Sequence, residues 1–182
     1  MSSFWIRNVS NIISFENLDS VQYDSSAAQA GALLRASDTR GTFEWYLPAY
    51  SEYTIPSTQS ITASTPTRIN LATPLESRGT LPITDDGAGT FTVQESGAYH
   101  ITTSLRVTES SNTGLREHYI VRNGSETLAR ITIDDTSQFG AFQNLSIIKQ
   151  LDASDTLEVY YEHTSPGSVT ITGITFSAKQ LL

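Results

Sequence analysis

Cysteine is absent from all 182 residues, which excludes disulfides, thiolate metal sites and cysteine nucleophiles. A chain that folds in a reducing cytosol has this composition, and so does a secreted domain held by its core alone. Long apolar runs are also missing: no window approaches the ~20 apolar residues that a membrane helix needs. The first twenty residues, MSSFWIRNVSNIISFENLDS, lack a basic segment followed by an apolar one, so no signal peptide is expected. Positive charge is scarce. Lys and Arg number 11 against 19 Asp and Glu, a net charge of −8 with a pI of about 4.7. A surface of that sign repels phosphate backbones, and no basic cluster offsets it locally, so no nucleic-acid partner is expected. Catalytic signatures are missing too: there is no Gly-x-Ser-x-Gly elbow, no phosphate loop and no dinucleotide glycine pattern. The expectation is a soluble protein made in the cytosol, with chain enough for one domain or a domain plus an arm.

What is present is alternation. Short strand-like runs cover Ser60–Ala63, Thr67–Leu71, Gly89–Val93, Ala98–Val107, Glu117–Arg122, Thr127–Ile133, Leu145–Leu151, Thr156–His163 and Ser168–Ala178. Turn residues separate them in STPT, DDGAG, ESSNTG, RNGS, DDTSQFG, DASD and TSPGS. In Ala98–Val107 the side chains of Tyr99, Ile101, Leu105 and Val107 share one face with Thr103, opposite His100, Thr102, Ser104 and Arg106. In Thr156–His163, Leu157, Val159 and Tyr161 oppose Thr156, Glu158 and Glu162. The final run changes phase at Gly173, which predicts a β-bulge there. Many short strands without helical periodicity between them predict an all-β antiparallel sandwich.

Residues 1–55 read differently. SSAAQAGALLRAS (25–37) has a weak helical pattern. GTFEWYLPAYSEY (41–53) gathers aromatics around Pro48, a composition suited to an arm that docks on a partner through Phe43, Trp45, Tyr46 and Tyr50. The alternative is that this segment adds strands to the sandwich. TIPSTQS (54–60) reads as the linker, so the expected division is an arm over 1–55 and a head over 56–182.

Candidate chemistry is thin. His100, His118 and His163 read as surface or interface histidines without a metal. Asp85-Asp86 and Asp134-Asp135 read as solvated turn acids. Calcium is the alternative for such oxygen-rich loops, and otherwise no cofactor is indicated. A polysaccharide hydrolase would need carboxylates facing one another across a groove. Asn8, Asn123 and Asn144 head glycosylation sequons that are expected to be unused, and Asn123-Gly124 is better read as a type I′ hairpin turn.

One spacing carries a resemblance. Phe91, five residues, Gly97, one residue, Tyr99, one residue and Ile101 is similar to the signature of the complement C-one-q globular head, one of the tumour necrosis factor-like jelly rolls. IVRNGSE (120–126) resembles that family's strand ending in an Asn-Gly hairpin, and FSAKQLL (176–182) its closing strand. LSIIKQLDASDTLEVYYEH (145–163) resembles its strand pair joined by an acidic turn. Ile101 stands where Phe is usual, Ala178 where Gly is usual, and Ala153-Ser154-Asp155 where Gly-Asp is usual; no collagen-like stalk is present. Gly97 is expected to supply a backbone conformation that other residues resist.

The resemblance covers about 61–182 and implies a TNF-like antiparallel jelly-roll sandwich with an N-terminal extension, assembled as a homotrimer. Tyr99, Ile101, Tyr119, Val121, Ile147, Val159, Tyr161 and Phe176 are then the candidates for the interior or the trimer seam. Jelly-roll trimers of this type also occur in virus particles and on bacterial spores. The reading that follows is a non-enzymatic component of a virion (capsid, spike or fibre-like), anchored to other structural proteins through 1–55, with a receptor or glycan at its loops and no membrane insertion. The alternative is an extracellular, cell-surface or spore-surface recognition module binding carbohydrate or protein.

Overall fold

The structure is a computed structural model describing residues 5–7, 12–14, 33–36, 43–46, 49–78, 82–108, 114–135 and 142–181, with side chains described within the segments from Ala49 onward except at Arg78 and Asp135. By its internal contacts the chain divides into Met1–Trp45 and Tyr46–Leu182. In the first unit β1 (Trp5–Arg7) and β2 (Ile12–Ser14) form an antiparallel pair, with Ile6 opposite Ile13. β3 (Leu33–Ala36) pairs with β4 (Phe43–Tyr46) in a second two-stranded sheet. The helix expected over 25–37 is therefore a strand where it is described: Leu33-Leu34 suits either period, and pairing with the β-prone aromatics of β4 decides between them. The rest of that segment lies outside the described residues.

Twelve further strands are described in the second unit: β5 (Tyr50–Thr54), β6 (Gln59–Thr62), β7 (Thr67–Arg68), β8 (Thr73–Arg78), β9 (Ile83–Asp85), β10 (Thr90–Val93), β11 (Gly97–Thr108), β12 (Gly114–Arg122), β13 (Glu126–Asp135), β14 (Phe142–Leu151), β15 (Thr156–His163) and β16 (Ser168–Gln180). They form two sheets. Sheet I has the order β13-β12-β15-β10-β9 with β7 beside β15, and sheet II the order β14-β11-β16-β5-β8 with β6 beside β16. From β10 to β11, β13 to β14, β14 to β15 and β15 to β16 the chain crosses between the sheets. The result is an antiparallel jelly-roll sandwich.

The expected division at residue 55 shifts accordingly. β5 lies inside sheet II, hydrogen-bonded to β16 on one side and β8 on the other. Tyr50 thus belongs to a strand of the sandwich and not to a segment outside it. The presumed linker over 54–60 is the short connection from β5 to β6, with Ile55 buried in the core.

Alternation along each strand fills the space between the sheets. Phe91, Val93, Ile120, Leu157, Val159 and Tyr161 point inward from sheet I, and Tyr53, Tyr99, Ile101, Leu105, Ile171 and Phe176 from sheet II, all buried. Aromatic rings join the layers: Phe91 stacks on Phe176 with centroids 4.4 Å apart and planes 11° apart, and Tyr53 tilts against Phe91 at 4.8 Å. The phase change near Gly173 is a bulge. Arg106 faces Gly173 while Val107 faces Ile171, leaving Thr172 as the extra residue.

Gly97 is used differently from the expectation. It starts β11 opposite Leu151 and is not among the glycines with positive φ, so no unusual backbone is required there. A Cβ at Gly97 would come 2.9 Å from Nε2 of Gln180, the far end of a flexible side chain. The strict glycine is Gly89, with φ +89 and an added Cβ only 2.4 Å from the carbonyl oxygen of Ile69. Tyr99 closes the turn before it by donating its hydroxyl to Glu95 O at 2.7 Å.

Two substitutions test this packing. Phe91→Ala is expected to cost about 3–5 kcal/mol in urea unfolding, because it removes the ring that touches both Tyr53 and Phe176. Gly89→Ala should lower the unfolding midpoint at an unchanged m-value, whereas Gly97→Ala should be tolerated far better.

Candidate interaction surface and the polar ends of the sandwich

One end of the sandwich is stitched by three turns. Asn123 (φ 51) and Gly124 (φ 69) both take the left-handed conformation that a type I′ turn demands. Asn123 Nδ2 donates to Asp155 Oδ1 at 2.8 Å, and Asn123 Oδ1 accepts from the backbone N–H of Thr156 at 2.8 Å. The Arg122 guanidinium reaches Asp155 Oδ2 at 2.6 Å, and the N–H of Asp152 donates to the same oxygen at 2.8 Å. The third turn enters through Ser154, whose N–H donates to Val93 O, and through Ala153, whose N–H donates to Ser96 Oγ. Burial alone pushes the Asp155 carboxyl up; the hydrogen bonds from Asn123, Asp152 and Arg122 and the Arg122 charge outweigh it and hold the group below its ordinary 3.8. Ser154, at φ 75, stands in the left-handed position that glycine would fill at least cost.

The acidic loops direct their oxygens at their own backbone. Asp86 Oδ1 accepts from the N–H groups of Ala88 and Thr90, which holds its carboxyl below the ordinary range, while burial pushes Asp85 up. Asp134 and Asp135 end β13 and do not lie in a loop. No group of three or more His, Cys, Asp or Glu side chains converges as a metal site would require among the described residues. No helix among the described residues is long and apolar enough to cross a membrane.

The histidines depart most from expectation. His100 is half-buried on the outward face of sheet II, with Nε2 2.9 Å from Ser146 Oγ. His118 and His163 are buried inside the sandwich, at the end opposite Asp155. Strand parity puts them there: His118 is two residues from the inward Ile120, and His163 two from the inward Tyr161. Arg116, two residues before His118, is buried on the same face, with Gln143 and Thr103 also buried at this end.

Five of the eight interior-or-seam candidates, Tyr99, Ile101, Val159, Tyr161 and Phe176, lie wholly in the subunit's own core, and Ile147 packs partly buried against it. Tyr119 and Val121 face the other way, on the outward side of sheet I. There Tyr119 stacks on Tyr160 at 5.6 Å and lies under the Arg130 guanidinium at 4.9 Å. Of the four arm candidates, Phe43, Trp45 and Tyr46 have their backbone in β4, and their side chains lie outside the described set.

The outward face of sheet II carries the exposed apolar groups Phe142 and Ile148. Across β14, β11, β16 and β5 it runs in rows fixed by register: Phe142, Arg106, Gly173; then Asn144, Ser104, Thr175, Thr54; Ser146, Thr102, Ser177, Glu52; and Ile148, His100, Lys179, Tyr50. The middle is small and hydroxylated, with Thr102 and Ser177 joined at 2.6 Å. Apolar groups sit at the borders. Phe142 is 68% and Ile148 66% exposed on edge strand β14, and Leu75 is 54% exposed in the bulge of edge strand β8. Glu52 faces Glu76 directly across β5 and β8, and the Tyr50 hydroxyl donates to Glu52 at 2.8 Å. Burial, that hydrogen bond and the two acids push the Tyr50 phenol up to about 12.

No protein-family model matches the sequence, and no curated protein matches it. Solved structures do match. Murine APRIL aligns with a TM-score of 0.59 at 15% identity, covering 74% of this chain and 99% of that one. The PRD1 vertex protein P5 aligns at 0.56 and 20% identity, covering 84% and 83%. Eiger TNF from S. frugiperda aligns at 0.52 and 14%, covering 74% and 92%. At such identities the likeness establishes the fold alone, and that fold is a TNF-like jelly roll.

Asp155→Ala is expected to lower the thermal midpoint clearly more than Asp152→Ala, since Asp152 is exposed and meets only one edge of Arg122. Because the native Asp155 carboxyl is held below 3.8, its contribution should persist at all higher pH and disappear as pH falls through its lowered value.

Proposed function

We propose that this chain is a non-enzymatic structural head that assembles as a homotrimer through the outward face of sheet II, in a virus particle where residues 1–45 fasten it to other structural proteins. The observation that carries this reading is the pair Phe142 and Ile148, each about two-thirds exposed at the border of a sheet face of small hydroxylated side chains. A monomer gains nothing from apolar groups in water at that place, whereas a second copy laid on the face would bury them. The likeness to the PRD1 vertex protein P5, which spans more of this chain than the other two, supports the virion setting.

The seam in this reading differs from one built of the inward aliphatics. It joins Phe142, Ile148 and Arg106 of one subunit to the Tyr50, Glu52 and Leu75 border of the next, burying more than ~1,000 Å² in total. The alternative, a recognition module working through its loops outside the cell, shares the same trimer but has no need of residues 1–45.

Light scattering of the purified chain is expected to give about three times 19.9 kDa at micromolar concentration, and a monomeric mass would overturn the reading. The double substitution Phe142→Glu with Ile148→Glu should weaken assembly at least tenfold while leaving the far-ultraviolet spectrum unchanged. A fragment starting at Tyr46, which keeps β5, should still trimerise but fail to join the particle.

A further inference from the structure

His118 and His163 make the same kind of bond in parallel. Each belongs to sheet I, on β12 and β15, and each sends Nε2 across the interior to sheet II. His118 Nε2 lies 3.2 Å from Thr103 Oγ1 on β11, and His163 Nε2 lies 3.0 Å from the carbonyl oxygen of Ile61 on β6. Facing a carbonyl, His163 must be the donor, which fixes the tautomer with its proton on Nε2. Among the described residues, Nδ1 has no hydrogen-bond partner in either ring.

We propose that the His118–Thr103 bond is a proton-sensitive tie between the two sheets, so that this end of the head loosens as the medium acidifies. With its proton on Nε2 the neutral ring leaves only a lone pair unpartnered at Nδ1. Protonation makes both ring nitrogens donors, and the Nδ1–H of His118 would then meet no acceptor among the described residues.

The surroundings also disfavour the charge, because they are mostly apolar. From its own strand His118 is flanked on the inward face by Arg116 and by Ile120. β15 contributes Tyr161 opposite His118 and His163 opposite Arg116. β11 contributes Thr103, β13 Ile131, β14 Leu145 opposite Thr103, and β16 Phe176 opposite Thr103. No carboxylate faces it among the described residues: Asp155, the one buried carboxylate among them, sits at the far end of β15. Burial holds the His118 imidazole down at about 4, against an ordinary 6.5.

The sign follows. The native ring stays neutral between those values while the unfolded chain takes up a proton, so stability is full above pH 6.5, falls as pH drops from 6.5 towards 4 and levels off below. At pH 5 the ratio of unfolded to folded chain should be roughly 30-fold higher than at pH 7.5 through this one group. Asp155 adds little to the change between pH 7.5 and pH 5, because its carboxyl is almost fully ionised in both the folded and the unfolded chain there. The inference concerns a single subunit and stands whether or not the trimer reading holds.

The test is urea unfolding of the full chain at pH 7.5 and pH 5.0, with His118→Gln, which keeps a polar atom near the Nε2 position and cannot titrate. His100→Gln, on the outward face, serves as the control. The wild type and the control should lose midpoint on acidification, and His118→Gln should lose markedly less. A wild-type midpoint unchanged between the two pH values, or a His118→Gln variant that falls as far as the wild type, would overturn the proposal. Should the variant not fold, proton resonance titration of the wild-type ring decides: a His118 midpoint below 5 supports the tie, and one at 6.5 or above removes it.

Discussion

Phe91 comes from sheet I and Phe176 from sheet II, and the two rings lie nearly flat against each other in the middle of the molecule. Tyr53 leans on the same pair from β5. The sandwich depends on this contact because each sheet has a wet outer side and only its inner side to bury. The spacing of Phe91, Gly97 and Tyr99 follows from it. The chain must leave sheet I at Val93, turn and enter sheet II with the inward phase restored by Tyr99, whose hydroxyl caps the turn it has just made.

Much of this was legible in the residues. The nine strands expected from Ser60 onward are all present, displaced by a few residues at their ends, and the bulge near Gly173 lies where the phase of the sequence changes. The three strands missed in the same unit share a physical cause. β8 contains Pro74 and a bulge, so its alternation is broken; β9 has three residues, too few to show a period; β5 was obscured by aromatics that also suit a docking arm. The position of Gly97 between two aromatics suggests a conformational glycine, yet its backbone is extended and Gln180 merely lies over it.

The site was less legible, for a reason of residue type. His118, His163 and Arg116 are polar, and polarity argues for the surface. Parity argues the opposite: Leu157, Val159, Tyr161 and His163 are spaced two apart, as are Ile120, His118 and Arg116, and in a regular strand each series must share one face. Periodicity outweighs composition here because the backbone fixes direction whatever the side chain prefers. The outward face of sheet II shows the complementary failure. Ser and Thr read as solvent-facing positions, and nothing in the alternation marks Phe142 and Ile148 as standing on the outside.

β16 serves two neighbours with one continuous strand: Ser168–Ile171 runs beside β6 and Thr175–Lys179 beside β5, with the single extra residue Thr172 between the two halves. Inward and outward positions are therefore set separately before and after that joint. Loss of Thr172 alone would join the two halves in one regular phase, Ile171 and Ile174 then standing two apart on the inward face, so a lineage carrying this fold can shed one residue at the joint without turning either half over.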